Sequence, residues 1–363
     1  MTQAPGPKSG WIEQPTTPPA PGPGPETLLG ATLPSFRFSL GTVEPKRWGK
    51  SWAKEATVRE FPPSQAIAGV SMHLEPGAER ELHWHANAAE WAYMLGGNAR
   101  VTVTDPSGWT EIVDFAKGDI WYFPRGHAHS IQGLGPAGCD FILVFDNGYF
   151  SEFGTFSISD WVAHTPLEVV AKNFRVPESA LAGLPKGEVY IADGPVPPAL
   201  GPIDDEGRLS HRYPLHQGRL KTFGGGTLRI ASVKEFPIST TMTGVHLALK
   251  PQGLREMHWH PNANEWQFYI SGRARMTVFG SGGRAMTDVF GPGDVGYVPQ
   301  GYGHYIEAVG DEPVSAILVL DNGTYEEIAL DTWMAGNTPQ LLSTNFGLSE
   351  DLFATIDKAD GGT

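Results

Sequence analysis

The sequence predicts an all-β protein made of two tandem copies of one barrel module. A long-range repeat, a turn-rich composition and short alternating strands carry that reading. The repeat is the most specific of the three. Glu81-Leu82-His83-Trp84-His85 returns as Glu256-Met257-His258-Trp259-His260, and Glu90-Trp91 as Glu265-Trp266. Gly118-Asp119 returns as Gly293-Asp294, and Asp146-Asn147-Gly148 as Asp321-Asn322-Gly323, always 175 positions on. The same register extends upstream, where Arg37-Phe38-Ser39-Leu40 matches Arg212-Tyr213-Pro214-Leu215. A repeat this long is a duplicated domain, not a solenoid unit. The 363 residues can bury two cores, and 45 Gly and 31 Pro with only 18% charged residues suit β structure better than a helical bundle.

Taken in order, residues 1–34 form a Pro/Gly-rich arm with no regular structure of its own. Residues 35–190 make the first module, 191–210 read as a Pro/Gly/Asp-rich linker, and 211–363 make the second module. Runs such as Arg100-Val101-Thr102-Val103-Thr104 and Phe141-Ile142-Leu143-Val144-Phe145 are strands of an antiparallel sandwich or barrel. Each copy closes with a helical segment, over 169–181 and 341–353, and the two share an Asn-Phe pair.

The net charge of −14 argues against nucleic acid as a partner, and an anionic substrate would need a local cation. No stretch approaches a membrane span, and the first residues lack an apolar core of signal-peptide length. The expectation is a soluble, cytoplasmic protein. Cys139, the single cysteine, reads as a buried thiol.

Residues two apart in a strand face the same way, so His83 and His85 share a face with Trp84 opposite. His258, His260 and Trp259 repeat the arrangement. Glu90 and Glu265 follow a short turn, and His129 and His304 come later after a Gly-Asp and a Pro-x-Gly turn. Three imidazoles and a carboxylate converging inside a barrel are a metal site, and on an octahedral ion they leave two positions open. The repeat selects His129 over its neighbour His127, because the second copy has Tyr302 in place of His127 but keeps His304. It preserves none of His73, His164, His211, His216 and His246, which read as ordinary core or surface histidines.

These residues resemble the cupin superfamily. Gly77, His83-x-His85 and Glu90, then Gly118-Asp119, Pro124-x-Gly126 and His129, fit its two motifs; in the second copy Gly253 stands one residue nearer its histidines. The resemblance implies two cupin barrels, the double-stranded β-helix or jelly-roll. Arg80-Glu81-Leu82-His83-Trp84-His85, Leu143-Val144-Phe145-Asp146 and Asp160-Trp161-Val162-Ala163-His164-Thr165-Pro166 are similar to the bicupin oxalate decarboxylases, over nearly the whole chain after the arm. That family converts oxalate to formate and CO2 using manganese and dioxygen. The resemblance implies two Mn2+ per chain, dioxygen as co-catalyst, oxalate as substrate, and a homo-trimer or homo-hexamer. Ligand type alone would not choose manganese, which sits at the weak end of the affinity series.

Oxalate needs a fixed positive group, and the resemblance places Arg80 and Arg255 against substrate. Strict alternation would put both on the wrong face, although alternation can break near a strand start. Ser151-Glu152-Phe153-Gly154-Thr155 resembles the family's active-site lid, usually Ser-Glu-Asn-Ser-Thr, so Glu152 is the implied proton donor. Phe153 and Gly154 depart from that pattern. In the second copy Glu327 corresponds to Glu152 but lies in no lid-like sequence, and Leu318 stands where relatives often carry a glutamate. The expectation is catalysis at the first site and a second site without its own donor. Oxalate oxidase, giving CO2 and hydrogen peroxide, and a non-catalytic metal-binding bicupin are the alternatives.

Overall fold

The computed structural model describes residues 32–201 and 207–356. Most of the expected N-terminal arm, residues 1–31, lies outside them. In the first copy the long Glu90–Thr104 strand is the spine. Its first half pairs with Ile120–Phe123 and Cys139–Phe145, and its second half with Thr110–Ala116 and Ala128–Gly133. One strand thus serves both faces of the barrel. In the second copy the spine is broken into Glu265–Ser271 and Ala274–Gly280, with Gly272 at φ 74° between them. The second barrel therefore consists of a seven-stranded and a five-stranded sheet.

Apolar residues on alternate positions fill both interiors. Val70, Met94, Phe115, Phe141 and Leu143 pack the first, and Leu247, Met276, Phe290 and Ile306 the second. Cys139 is buried in the first core, and burial pushes its thiol up to about 12. Between the barrels, Trp91 lies over Gly244 and Trp266 lies over Gly69. A Cβ at either glycine would come within 2.2 Å of the indole, so only glycine allows this approach. Both tryptophans are fully buried. Truncating either to alanine would cost about 3–5 kcal/mol.

The first strand of each copy crosses to the other barrel. Arg37–Phe38 pairs with Val295–Val298, and Arg212–Tyr213 pairs with Ile120–Phe123. Arg37 forks onto Asp294 at 2.9 and 3.1 Å, and Arg212 Nε donates to Asp119 at 2.9 Å. Packing thus exchanges the leading strands of the two copies. Part of 191–210 also does more than link. Ile191–Ala192 pairs with the strand carrying Arg80, and the Pro198 carbonyl accepts from Arg100 at 2.7 Å.

The helical segments are shorter than expected. Leu167–Phe174 stops at Arg175, whose φ is 59°, and a separate turn Glu178–Leu181 follows Pro177. Pro339–Phe346 and Glu350–Phe353 are divided by Gly347 at φ 69°. Two further helices, Ile158–Ala163 and Leu330–Ala335, were not anticipated, being too short to show helical periodicity. Among the described residues no helix is long and apolar enough to cross a membrane.

Candidate metal centres

Two buried constellations form in equivalent places. In the first, His83 lies on the Glu79–Trp84 strand and His85 just beyond it. Glu90 opens the spine strand, and His129 pairs directly across from His83. The ligand atoms of His83, His85, Glu90 and His129 lie within 4.8 Å of one another, and so do those of His258, His260, Glu265 and His304. The structure brings all eight predicted ligands together in two sets of four.

Main-chain oxygens fix the rings. Nδ1 of His83 donates to the Glu81 carbonyl at 2.6 Å, and that of His129 to the His127 carbonyl at 2.9 Å. His258 and His304 use the carbonyls of Glu256 and Tyr302 in the same way. These tethers select the tautomer whose Nε2 is unprotonated, the form a metal needs. Nε2 of His129 and of His304 are buried with no hydrogen-bond partner, an expensive state that a cation among these ligands would relieve. The donor sets therefore fit a divalent transition ion.

The carboxylates are held by different neighbours. Trp121 Nε1 donates to Glu90 at 2.7 Å, whereas Gln267 Nε2 donates to Glu265 at 2.7 Å. Burial alone would push the Glu90 carboxyl up, but the His129 and His85 imidazoles outweigh it and hold it well below its usual range. Glu265 is likewise held low against burial, by His260 and His304. Burial, helped by Arg80, keeps His83 neutral far below the ordinary imidazole range, and burial with Arg255 does the same for His258.

Both arginines reach the interior. The pairing with Ala128–Gly133 slips between Arg80 and His83, and the second barrel repeats this slip between Arg255 and His258. The extra residue puts side chains three apart on one face. Arg80 is fully buried. Its Nε donates to Glu152 Oε1 at 2.8 Å, another guanidinium nitrogen donates to Thr155 at 2.7 Å, and its plane lies 3.9 Å from the Tyr190 ring. The Tyr190 hydroxyl also donates to Glu152 Oε1 at 3.3 Å, while Oε2 is buried without a partner. Tyr190 was missed in the sequence. It has no counterpart in the repeat, and no motif marks it.

Glu152 sits in a short turn, Glu152–Gly154, just before the Phe156–Ser157 strand that pairs with His83 and Trp84. Glu55 latches this turn, accepting from the Glu152 N–H at 3.1 Å and from Ser151 Oγ at 3.0 Å. Phe153 packs between Trp48 and Tyr190, and Lys46 Nζ lies 4.5 Å from its ring. Gly154 faces open space.

At the second site Leu318 is buried in the apolar core, and Glu327 ion-pairs with Arg255 and accepts from the Tyr325 hydroxyl at 2.6 Å. The loop returns along the arginine because its Glu326 carbonyl accepts from His260 Nδ1 at 2.7 Å. The Glu327 side chain is 18% exposed, against 0% for Glu152.

The profile of the cupin family matches residues 45–180 and 215–352. The chain is 43% identical to oxalate decarboxylase OxdC of Bacillus subtilis over 340 residues, covering 92% of this chain and 87% of that protein. It is 33% identical to an oxalate decarboxylase of Arthroderma benhamiae over 363 residues, covering 92% and 85%. A structure of the Bacillus subtilis enzyme described for its Mn(II) centres superposes with a TM-score of 0.86 at 40% identity, covering 93% and 90% of the two chains. The formate complex of Lactobacillus farciminis oxalate decarboxylase gives 0.86 at 39% identity, covering 92% and 99%.

Proposed function

The chain belongs to the cupin family, in its bicupin oxalate decarboxylase branch, and from that premise we propose that it converts oxalate to formate and CO2 at the first centre. The observation that carries the choice of site is the buried Arg80–Glu152 pair with one carboxylate oxygen left free beneath a latched turn. Manganese is the ion proposed for both ligand sets, with dioxygen as co-catalyst; together they supply charge to bind a carboxylate and one-electron chemistry at its carbon.

The protein's own residues handle charge and protons. Arg80 offers the planar fork that matches a carboxylate, and being buried it holds its place without help from solvent. Loss of CO2 from the monoanion of oxalate leaves a one-carbon fragment that must take a proton on carbon to become formate. Glu152 is the proposed donor, and its free Oε2 is the atom that presents the proton. Tyr190 and Arg80 fix its other oxygen. The closed turn excludes water, which keeps the fragment from other fates.

Arg255 and Glu327 form the corresponding pair at the second centre, which we read as a metal site with a supporting role. Assembly into a trimer or hexamer is also proposed. The exposed Leu82, Phe156 and Trp161 around Trp84, and Met257 and Trp333 around Trp259, give the two modules equivalent apolar outer faces. A cytoplasmic location is part of the reading and rests on the sequence.

One experiment tests the core of it. Manganese-loaded protein is given oxalate under air, and formate and hydrogen peroxide are measured together. Formate near one per oxalate supports the proposal. Peroxide with little formate identifies the oxidase instead, and neither product overturns both in favour of a non-catalytic metal binder.

A further inference from the structure

Two histidines backed by a glutamate meet where the strand lent by the second module joins the first barrel. His211 precedes that strand and is almost fully buried. Glu111 holds it firmly, accepting from the His211 N–H at 2.8 Å and from Nδ1 at 2.7 Å; Ser210 Oγ donates to the other Glu111 oxygen at 2.6 Å. This carboxylate fixes the His211 proton on Nδ1 and aims an unprotonated Nε2 outward. Opposite it is Nδ1 of the half-buried His127, which donates to that Nε2 across 3.4 Å, a hydrogen bond that an ion between the two nitrogens would replace. The His127 carbonyl serves the first metal centre through His129, but its ring turns the other way, toward His211.

The separation is informative. Two imidazole nitrogens bound at about 2.0–2.1 Å to one tetrahedral ion stand about 3.4 Å apart. A carboxylate behind one histidine, fixing its tautomer, is the usual support of a metal-bound imidazole. Asp105 adds negative charge acting on the His127 ring.

The repeat supplies an internal control. In the second barrel Phe36 takes the place of His211, Tyr302 that of His127 and Met286 that of Glu111. The backbone is the same: the Tyr297 N–H donates to Phe36 O at 3.1 Å, just as the Tyr122 N–H donates to His211 O at 3.1 Å. The Phe36 and Tyr302 rings meet edge to face at 6.5 Å, and the His127 and His211 rings do so at 5.6 Å. Apolar and aromatic side chains therefore suffice to pack this junction. Burying a carboxylate and one imidazole there, with a second imidazole half-buried against them, costs desolvation that the aromatic pair avoids.

We propose that His127 and His211, backed by Glu111, bind a divalent transition ion of the zinc or copper class, distinct from the two barrel centres. Imidazole donors suit zinc and copper better than manganese. The ion would tie the lent strand to the first barrel.

The test uses the manganese-loaded protein, equilibrated with limiting Zn2+ and then analysed for both metals. The expected result is one zinc per chain with manganese retained, and a raised melting temperature. In His127→Tyr, which installs the residue found at Tyr302, and in His211→Phe, zinc affinity falls at least about a hundredfold while manganese stays. Zinc that fails to bind, that enters only as manganese leaves, or that binds both variants undiminished overturns the proposal. An independent readout needs no variant: one equivalent of Cu2+ added to the manganese-loaded protein gives a copper spectrum with nitrogen hyperfine structure, and a spectrum of oxygen donors alone overturns it.

Discussion

The two metal centres share ligands, register and arginine, yet their mouths are built differently. At the second, the loop after the last strand is tied to the metal site itself, because the Glu326 carbonyl holds His260 Nδ1 and Tyr325 packs against the His260 ring. At the first, Phe150 packs on His85 but His85 Nδ1 has no partner, and the following turn is held instead by Glu55 and Phe153. The first loop meets a ligand ring only by packing, whereas the second also hydrogen-bonds one. The carboxylates follow suit. Glu327 spends one oxygen on both Arg255 and Tyr325 and reaches solvent, while Glu152 is sealed with one oxygen free. A separable loop and a dry, half-engaged acid are what a protonation step needs. A strapped loop and a partly wet acid are what a permanent metal site needs.

The largest effect expected from this difference is on formate production. Glu152→Gln keeps the shape of the turn but cannot donate a proton. It should lower formate formation by roughly 10²–10⁴-fold with both metals retained. Glu327→Gln should change it by less than about threefold. Equal losses in the two variants, read from formate rates at matched metal content, would place turnover at both centres and break the comparison.

A smaller effect should come from the latch. Glu55→Ala removes the acceptor for the Glu152 N–H and Ser151 Oγ, contacts worth about 1–3 kcal/mol together. Formate formation should fall about tenfold, the share of peroxide should rise, and amide exchange at residues 151–155 should quicken. Unchanged exchange there would show that Phe153 and the Arg80 and Tyr190 hydrogen bonds hold the turn without the latch. Burial raises the proton affinity of Glu55, so acid weakens the carboxylate acceptor, and the latch should loosen as pH falls.

Much of this was legible in the sequence, for identifiable reasons. The eight ligands could be read because strand periodicity and the repeat independently chose the same histidines and glutamates. The arginines ran against periodicity. Their position depends on a one-residue slip in pairing that no composition signals, so only the resemblance pointed inward. Tyr190 was invisible, since it follows the helices and reaches the site through a left-handed backbone at φ 64°. The exchange of leading strands was hidden by its own symmetry. Arg37 and Arg212 would show the same repeat whichever barrel received them. Glu327 was found but undervalued, because the sequence around it gives no hint that a metal ligand anchors its loop.

The comparison extends to acid stability, where one histidine of the second module has no counterpart in the first. His246 is buried against His216 and Ser315 on a strand of the second barrel, and its pKa is lowered from the ordinary imidazole value to about 4, first by burial and then by His216 and Arg229. A histidine with a depressed folded pKa binds its proton more readily when unfolded. Above pH 6.5 it contributes nothing to pH dependence. As pH falls from 6.5 toward 4 the unfolded state takes up protons first and stability is lost. The corresponding residue in the first module, Ser71, cannot do this. His246→Leu should flatten the fall in melting temperature over that window, measured on metal-loaded protein so that the ligand histidines are held. An equal slope in the two proteins would assign the acid sensitivity elsewhere.

The smallest effect expected concerns the exchanged strands. Arg37 and Arg212 make equivalent ion pairs with Asp294 and Asp119, and both guanidinium groups are about a third or more exposed. Exposed pairs contribute less than about 1 kcal/mol. Either alanine variant should therefore lower the melting temperature by no more than about 4 °C. If instead either variant separated the unfolding of the barrels into two transitions, the exchanged strands and not the Trp91 and Trp266 contacts would be what couples them. That outcome is not expected, because each tryptophan buries its whole indole on a glycine of the opposite barrel, an area no surface ion pair matches.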